Sequence, residues 1–286
     1  MQAIELKEHE GRAFDQDVLD EGRGHQLWLR FGNKIEIDPP TFKTGYQWHL
    51  KPKGWVGHIP IDNSLSLIIR PKVELGNLFG MLEYAYRIPF TQDEQLIHSD
   101  DLPEFYQRLA NILARQVLRR TFCGLYKEYI SRRSRLPFVR GRIDTTKMLN
   151  EPWQVNLTCH YQENTSDNEE NQILVWTLFC IAQTGLCQGK IKNNVRQAYR
   201  GVHNFATLMP KSPFDCVGRH YTRLNCDYKQ MHTLCRFFLE VTGPLHEVGK
   251  KSMLPFMVDM PKLYESFVTE WLKVFLGQNY PGRYRV

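Results

Sequence analysis

The hydrophobic pattern changes period once near the middle of the first hundred residues. Before Pro71, short stretches alternate apolar and polar positions: QLWLRFG (26–32), KIEID (34–38), YQWHLKP (46–52), GWVGHIPI (54–61) and LSLIIRPK (65–72). Each is rich in branched or aromatic residues and bounded by Gly, Pro, Asn or Asp, which predicts β-strands closing into a small antiparallel barrel or sandwich. Asp62-Asn63-Ser64 lies between two apolar runs and predicts a hairpin turn. After Pro71, which cannot donate to a ladder, Leu75, Leu78, Phe79, Leu82 and Tyr86 recur at three- and four-residue steps. That is the stripe of an amphipathic helix, so GWVGHIPIDNSLSLIIRPKVELGNLFGMLEYAY is a junction between a β module and a helical region.

Further along, the spacing predicts one long helix over 102–131, with Pro103 tolerated in its first turn and Leu109, Ile112, Leu113, Val117, Leu118, Phe122, Leu125, Tyr126 and Ile130 on one face. A basic tip, SRRSRLPFVRGRID (131–144), follows it. Residues 159–183 start extended and become a buried helix, for which Ser166 and Glu169 fit a capping box and Asn171 is read as a buried hydrogen-bonding residue between helices. Two more helices are expected over 226–242 and 260–277, and 279–286 reads as the start of a strand. The fold class is α+β.

Composition adds a location for charge. The net charge is +6, yet residues 115–147 hold ten basic and two acidic side chains, an excess of +8, so the rest of the chain sums to −2. Arg115, Arg119 and Arg120 read as a solvated helix face. Arg132, Arg133, Arg135, Arg140 and Arg142, packed around a Pro-Phe turn, suit contact with phosphate or carboxylate, for which the guanidinium fork is made. Seven cysteines without a CxxC pair fit reduced thiols, and the absence of a long apolar run fits a cytoplasmic protein without a membrane span.

Several motifs fail on their spacing or context. Cys216, His220, Cys226, His232 and Cys235 are crowded but not paired as a zinc loop requires. Pro213-Phe214-Asp215 followed by Asp227-Tyr228-Lys229 imitates a nuclease motif, but Asp227 and Lys229 fall on a helical period rather than one strand face. Gly243 to Lys251 lacks the Ser or Thr of a phosphate loop.

Four phrases in order, NLFGMLEYAY (77–86), PFVRGRID (137–144), YQENTSDNEENQIL (161–174) and MPKLYESFVTEWL (260–272), closely resemble the McrC family, the nuclease subunit of 5-methylcytosine-dependent restriction systems. The likeness runs over roughly 50–286. It implies a β module over 1–74, a central mainly helical region with the basic tip over 75–258, and the beginning of a PD-(D/E)xK nuclease domain over 259–286, cut short before its catalytic strands. It further implies a McrB-like AAA+ GTPase hexamer and DNA as partners, stimulation of GTP hydrolysis in which Arg140 and Arg142 of the RGRID phrase would act, and Mg²⁺ in the full-length nuclease but none bound by this chain. Glu265, on the helix that precedes the nuclease strands, is the one candidate catalytic residue. The alternative is a stand-alone nucleic-acid-binding adaptor whose Trp28, Phe31, Tyr46, Trp48 and Trp55 stack on bases; alternation along strands favours these aromatics as core.

Overall fold

A computed structural model describes residues 2–62, 64–86, 102–242 and 254–279. The N-terminal region holds strands β1 (Gln2–Lys7) and β2 (Arg12–Phe14), helix α1 (Glu21–Phe31), and strands β3 (Ile35–Asp38), β4 (Trp48–Pro52), β5 (Trp55–Pro60) and β6 (Leu65–Arg70). They form two sheets rather than a closed barrel. β2, β4 and β3 make an antiparallel sheet of three, and β1 runs parallel to β6, which pairs with β5. The hairpin at residues 60–65 forms as the turn residues predict: the Asp62 carboxylate accepts from the Ser64 and Leu65 amides at 2.6 and 2.8 Å.

One expected strand is a helix. QLWLRF lies in α1, where Leu27 and Phe31, four residues apart, are buried, and Asp20 caps the first turn by accepting from the Arg23 amide at 2.7 Å. Alternation over six residues is ambiguous there; the Asp20-Glu21 start is the discriminating signal. Gly24 has Trp48 where a Cβ would sit, so α1 lies tightly on β4. Phe31 and Trp48 are core as expected and Trp55 is half-buried, whereas Trp28 and Tyr46 are exposed, against the core reading.

Helix α2 (Leu75–Tyr86) follows β6 at the predicted junction and buries Leu78 and Leu82. Helix α3 (Leu102–Cys123) ends eight residues before the expected stop at 131. Gly124 takes φ +95°, which ends the helix, and the chain turns into strand β7 (Glu128–Leu136) because a nine-residue partner is available to it. That partner is β9 (Leu157–Thr165), reached through the two-residue strand β8 (Arg142–Ile143) and the short helix α4 (Thr145–Asn150).

The helical layer comprises α3, α5 (Glu169–Gln183), α6 (Gly189–His203) and α7 (Tyr228–Thr242). Helix α6 is not among the elements that the sequence pattern predicts. The N-cap of α5 is Asn168, accepting from the Asn171 amide at 3.1 Å, not Ser166; Ser166 instead offers its carbonyl to Asn171 Nδ2 at 2.7 Å. Phe105, Leu109, Leu113 and Val117 of α3 and Ile173, Leu174 and Leu178 of α5 are fully buried in one continuous core with the β module.

A final strand, β10 (Phe256–Asp259), joins the β1-β6-β5 sheet by pairing antiparallel with β5, about 200 residues away in sequence. The meeting requires a glycine: a Cβ on Gly57 would lie 2.0 Å from the Phe256 carbonyl oxygen. Phe256 then stacks edge-on against Tyr106 at 4.8 Å, tying sheet to helical layer. Helix α8 (Met260–Asn279) packs along α2, with Tyr84 and Phe267 in an edge contact at 5.7 Å. The expected strand after residue 279 and the Gly243–Lys251 loop lie outside the described residues.

Candidate functional site

The five arginines singled out in the sequence all lie on one projecting arm. β7 pairs with β9 along the full register from Glu128↔Thr165 to Leu136↔Leu157, about 30 Å at the usual rise. Only β8 and α4 pack substantially on it. β7 is mostly exposed, and β9 buries only the adjacent Thr158 and Cys159, which point to opposite faces, so register is set by the ladder and by polar pairs across it rather than by one buried face.

Those pairs account for four of the arginines. Arg132 lies 3.6 Å from Glu163, Arg133 2.5 Å from Asp144, Arg135 2.8 Å from Glu151, and Arg140 3.5 Å from Glu163 while its guanidinium covers the Tyr161 ring at 4.1 Å. Asp144 is a hub: it caps α4 through the Lys147 amide at 3.2 Å and also faces Arg133 and His160. The Lys147 amide, and then Arg133 and His160, hold its carboxyl below the usual range. Arg142 differs. It is exposed, sits opposite His160 in the ladder, and has no ion-pair partner among the described residues.

Gly141 explains the local shape of the Arg-Gly-Arg phrase. With φ +71° and a notional Cβ 2.4 Å from the His160 carbonyl oxygen, it brings the chain against β9 where a side chain would collide. Arg140 and Arg142 therefore leave a fixed crossing point. A shallow depression of about 590 Å³ beside it is lined by Arg132, Arg133, Gly141, His160 and Tyr161, among others.

The arm has a second property that the sequence reading does not anticipate. Phe138 and Val139 at its tip, Met148 and Leu149 of α4, and Trp153 and Val155 in the loop before β9 are all exposed; Leu149, Trp153 and Val155 are 79, 74 and 88% accessible. An apolar group of this size on a slender projection marks a partner surface. The cue is MLNEPWQV (148–155), where large apolar residues occur without strand or helix period.

The remaining candidates lie elsewhere. Glu265 is exposed on α8. Asp227 faces Arg120 at 3.6 Å just before α7, and Asp215 closes a capping box with Ser212 on a 3-10 turn. His232 is held by the Tyr221 hydroxyl at 3.0 Å, donates from Nε2 to the Glu170 carbonyl at 3.1 Å, and sits in the core with a pKa lowered to about 4 by burial. No three His, Cys, Asp or Glu side chains among the described residues converge as a metal site, and no described helix is long and apolar enough to cross a membrane.

The architecture and the arm define a class, and comparison with known proteins places it. The profile of the family described as McrBC 5-methylcytosine restriction system component matches residues 50–285. The chain belongs to that family. Solved structures share the fold, two of them from one archaeal system. One is a chain of the Thermococcus gammatolerans McrBC complex, with TM-score 0.59 and 19% identity over 99% of this chain and 89% of that one. The other is a chain of the refined half-complex from the tetradecameric assembly of Thermococcus gammatolerans McrB AAA+ hexamers with bound McrC, with TM-score 0.59 and 19% identity over 100% of this chain and 72% of that one. No curated protein matches the sequence.

Proposed function

We propose that this chain is the McrC-type subunit of a modification-dependent DNA restriction complex, and that the β7–β9 arm docks it onto a McrB-like AAA+ GTPase hexamer and stimulates GTP hydrolysis. The observation that carries the reading is the arm itself, a projection tipped with unpartnered apolar side chains and carrying an arginine left free while its four neighbours are neutralised. Membership of the family and the likeness to a chain from an assembly of McrB hexamers with bound McrC support it.

In this reading the roles divide. Phe138, Leu149, Trp153 and Val155 supply binding area. Arg142 supplies a charge that, brought to a nucleotide site in trans, stabilises the transferring phosphoryl group. Arg132, Arg133, Arg135 and Arg140 stiffen the arm through Glu163, Asp144 and Glu151. Cleavage of 5-methylcytosine-containing DNA belongs, on this proposal, to a PD-(D/E)xK nuclease part with Mg²⁺. The described residues offer no ligand set for that ion. Glu265 remains the one proposed acidic contributor from this chain.

The reading is tested by Arg142→Ala assayed with the GTPase partner. Stimulated GTP hydrolysis is expected to fall at least tenfold, since a trans arginine contributes roughly 10³–10⁵ in such reactions, while co-purification with the partner persists. Undiminished stimulation removes Arg142 from the mechanism.

A further inference from the structure

A second charged surface lies away from the arm, on the outer side of α3 and α6. The two helices run side by side in the same direction: Gln107 accepts from the Gln188 amide at 3.2 Å, Asn111 from Asn194 Nδ2 at 2.9 Å, and Thr121 lies 3.1 Å from where a Gly201 Cβ would be. With those contacts between them and Leu109, Leu113, Val117, Val195 and Val202 turned into the core, the helical period fixes what faces outward. Arg115 and Arg119 of α3 and Lys190, Lys192, Arg196 and Arg200 of α6 are exposed there, and none has an ion-pair partner among the described residues.

The sequence keeps acids away from this face. No Asp or Glu occurs between residues 105 and 127 or between 171 and 214. The single acid on the outer side, Glu104, is bound to Arg108 at 2.5 Å. Solvated helix faces ordinarily interleave both signs, because i,i+4 pairs stabilise them and like charges repel. Here the repulsion stands uncompensated; the side chains between the cations of α6 are amides, Asn193 and Gln197, and Phe122 is exposed at the C-terminal end of α3, beside the cations rather than at their centre.

We propose that the α3–α6 face binds the sugar-phosphate backbone of duplex DNA. Lys190 to Arg200 span about 15 Å of helix, a length over which B-DNA carries roughly nine phosphates on its two strands, so those on the facing side lie within reach of the six cations. Arginine forks and an absence of base-reading geometry make the contact independent of sequence and methylation. It would hold the duplex against the subunit while recognition of the modified base occurs elsewhere. The proposal rests on this face alone and stands or falls separately from ring docking by the arm.

The test uses the full chain and a fluorescein-labelled, unmethylated duplex of about 30 base pairs, read by anisotropy between about 50 and 200 mM salt, the range over which phosphate contacts weaken most visibly. The variant Arg115→Gln, Arg119→Gln, Arg196→Gln, Arg200→Gln keeps helix-compatible side chains; its circular dichroism and melting temperature serve as the folding check, and Arg115→Gln with Arg119→Gln is the milder second variant. Expected are low-salt binding weakened at least tenfold in the fourfold variant and a salt slope reduced by about 0.9 for each phosphate that the variant no longer neutralises. Partner-stimulated GTP hydrolysis is expected to be unchanged. Equal affinity and slope in folded wild type and variants overturn the proposal, as does a wild-type chain that does not bind the duplex. Loss of GTPase-partner binding with DNA binding intact also overturns it and assigns the face to the protein partner.

Discussion

Asn171 and Tyr228 show how single residues hold the elements that carry the arm. Asn171 is fully buried; its Nδ2 donates to the Tyr126 and Ser166 carbonyls at 2.9 and 2.7 Å, and its Oδ1 accepts from the Tyr228 hydroxyl at 2.7 Å. That hydroxyl also accepts from the Tyr126 amide at 3.0 Å, at the root of β7. Tyr228→Phe leaves a buried acceptor and a donor without partners and is expected to destabilise by about 2–4 kcal/mol, measured by urea unfolding. A change below about 0.5 kcal/mol would show that the network is not structural. His232 sets a pH dependence. Its folded pKa of about 4 lies below the ordinary 6.5 because burial disfavours the cation, so from pH 6.5 down to about 4 the unfolded chain takes a proton that the folded chain refuses. Stability therefore falls with pH across that window, by about 2 kcal/mol between pH 7 and 5 from this residue. Glu170, 3.3 Å from His232, acts in the opposite sense, since burial raises its pKa and the folded chain holds its proton more tightly. Comparing wild type with His232→Gln isolates the histidine: the variant is expected to show a flatter profile, and an equal pH slope in both would refute the assignment.

At the scale of elements, the arm depends on pairs between exposed side chains and on one glycine. Gly141→Val forces a branched side chain against the His160 carbonyl at a positive φ, and is expected to loosen β8 from β9 while leaving the helical core intact. The measurement is limited proteolysis: new cleavage within 136–157 is predicted, and an unchanged digest would contradict the fixed crossing. Legibility in the sequence follows burial. The junction at Pro71 and helices α2 and α7 are readable because each has a buried face with a helical period, as Leu78 and Leu82 or Leu234 and Phe238 show, α5 because its acidic first turn leads into a long apolar run buried on nearly every side, and α8 from the spacing of Met260, Leu263 and Phe267. The end of α3 is not, because Leu125, Tyr126 and Ile130 happen to extend its stripe past Gly124. Helix α6 escapes the pattern because so much of it is polar, its buried residues being Val195, Ala198 and Val202. For the arm, clustering of the five arginines is visible in the sequence; their pairing with Glu163, Asp144 and Glu151 is not, since those contacts depend on a β register that no buried face announces.

For the molecule as a whole, one core joins the ends of the chain while the arm stands away from it. β10 and α8 return to the N-terminal sheet and to α2, so the arm's base is anchored on a body closed by long-range contacts between residues 2–86 and 254–279. On the proposed function, the arm is the part that engages the ring-shaped partner. The most direct test is size-exclusion chromatography of this chain with a McrB-type AAA+ GTPase and a non-hydrolysable GTP analogue, comparing wild type with Leu149→Ser, Trp153→Ser, Val155→Ser. A co-eluting complex is expected for wild type and its loss for the triple variant, which remains folded by circular dichroism. A complex that survives the three substitutions, or no complex with the wild-type chain, would overturn docking by the arm.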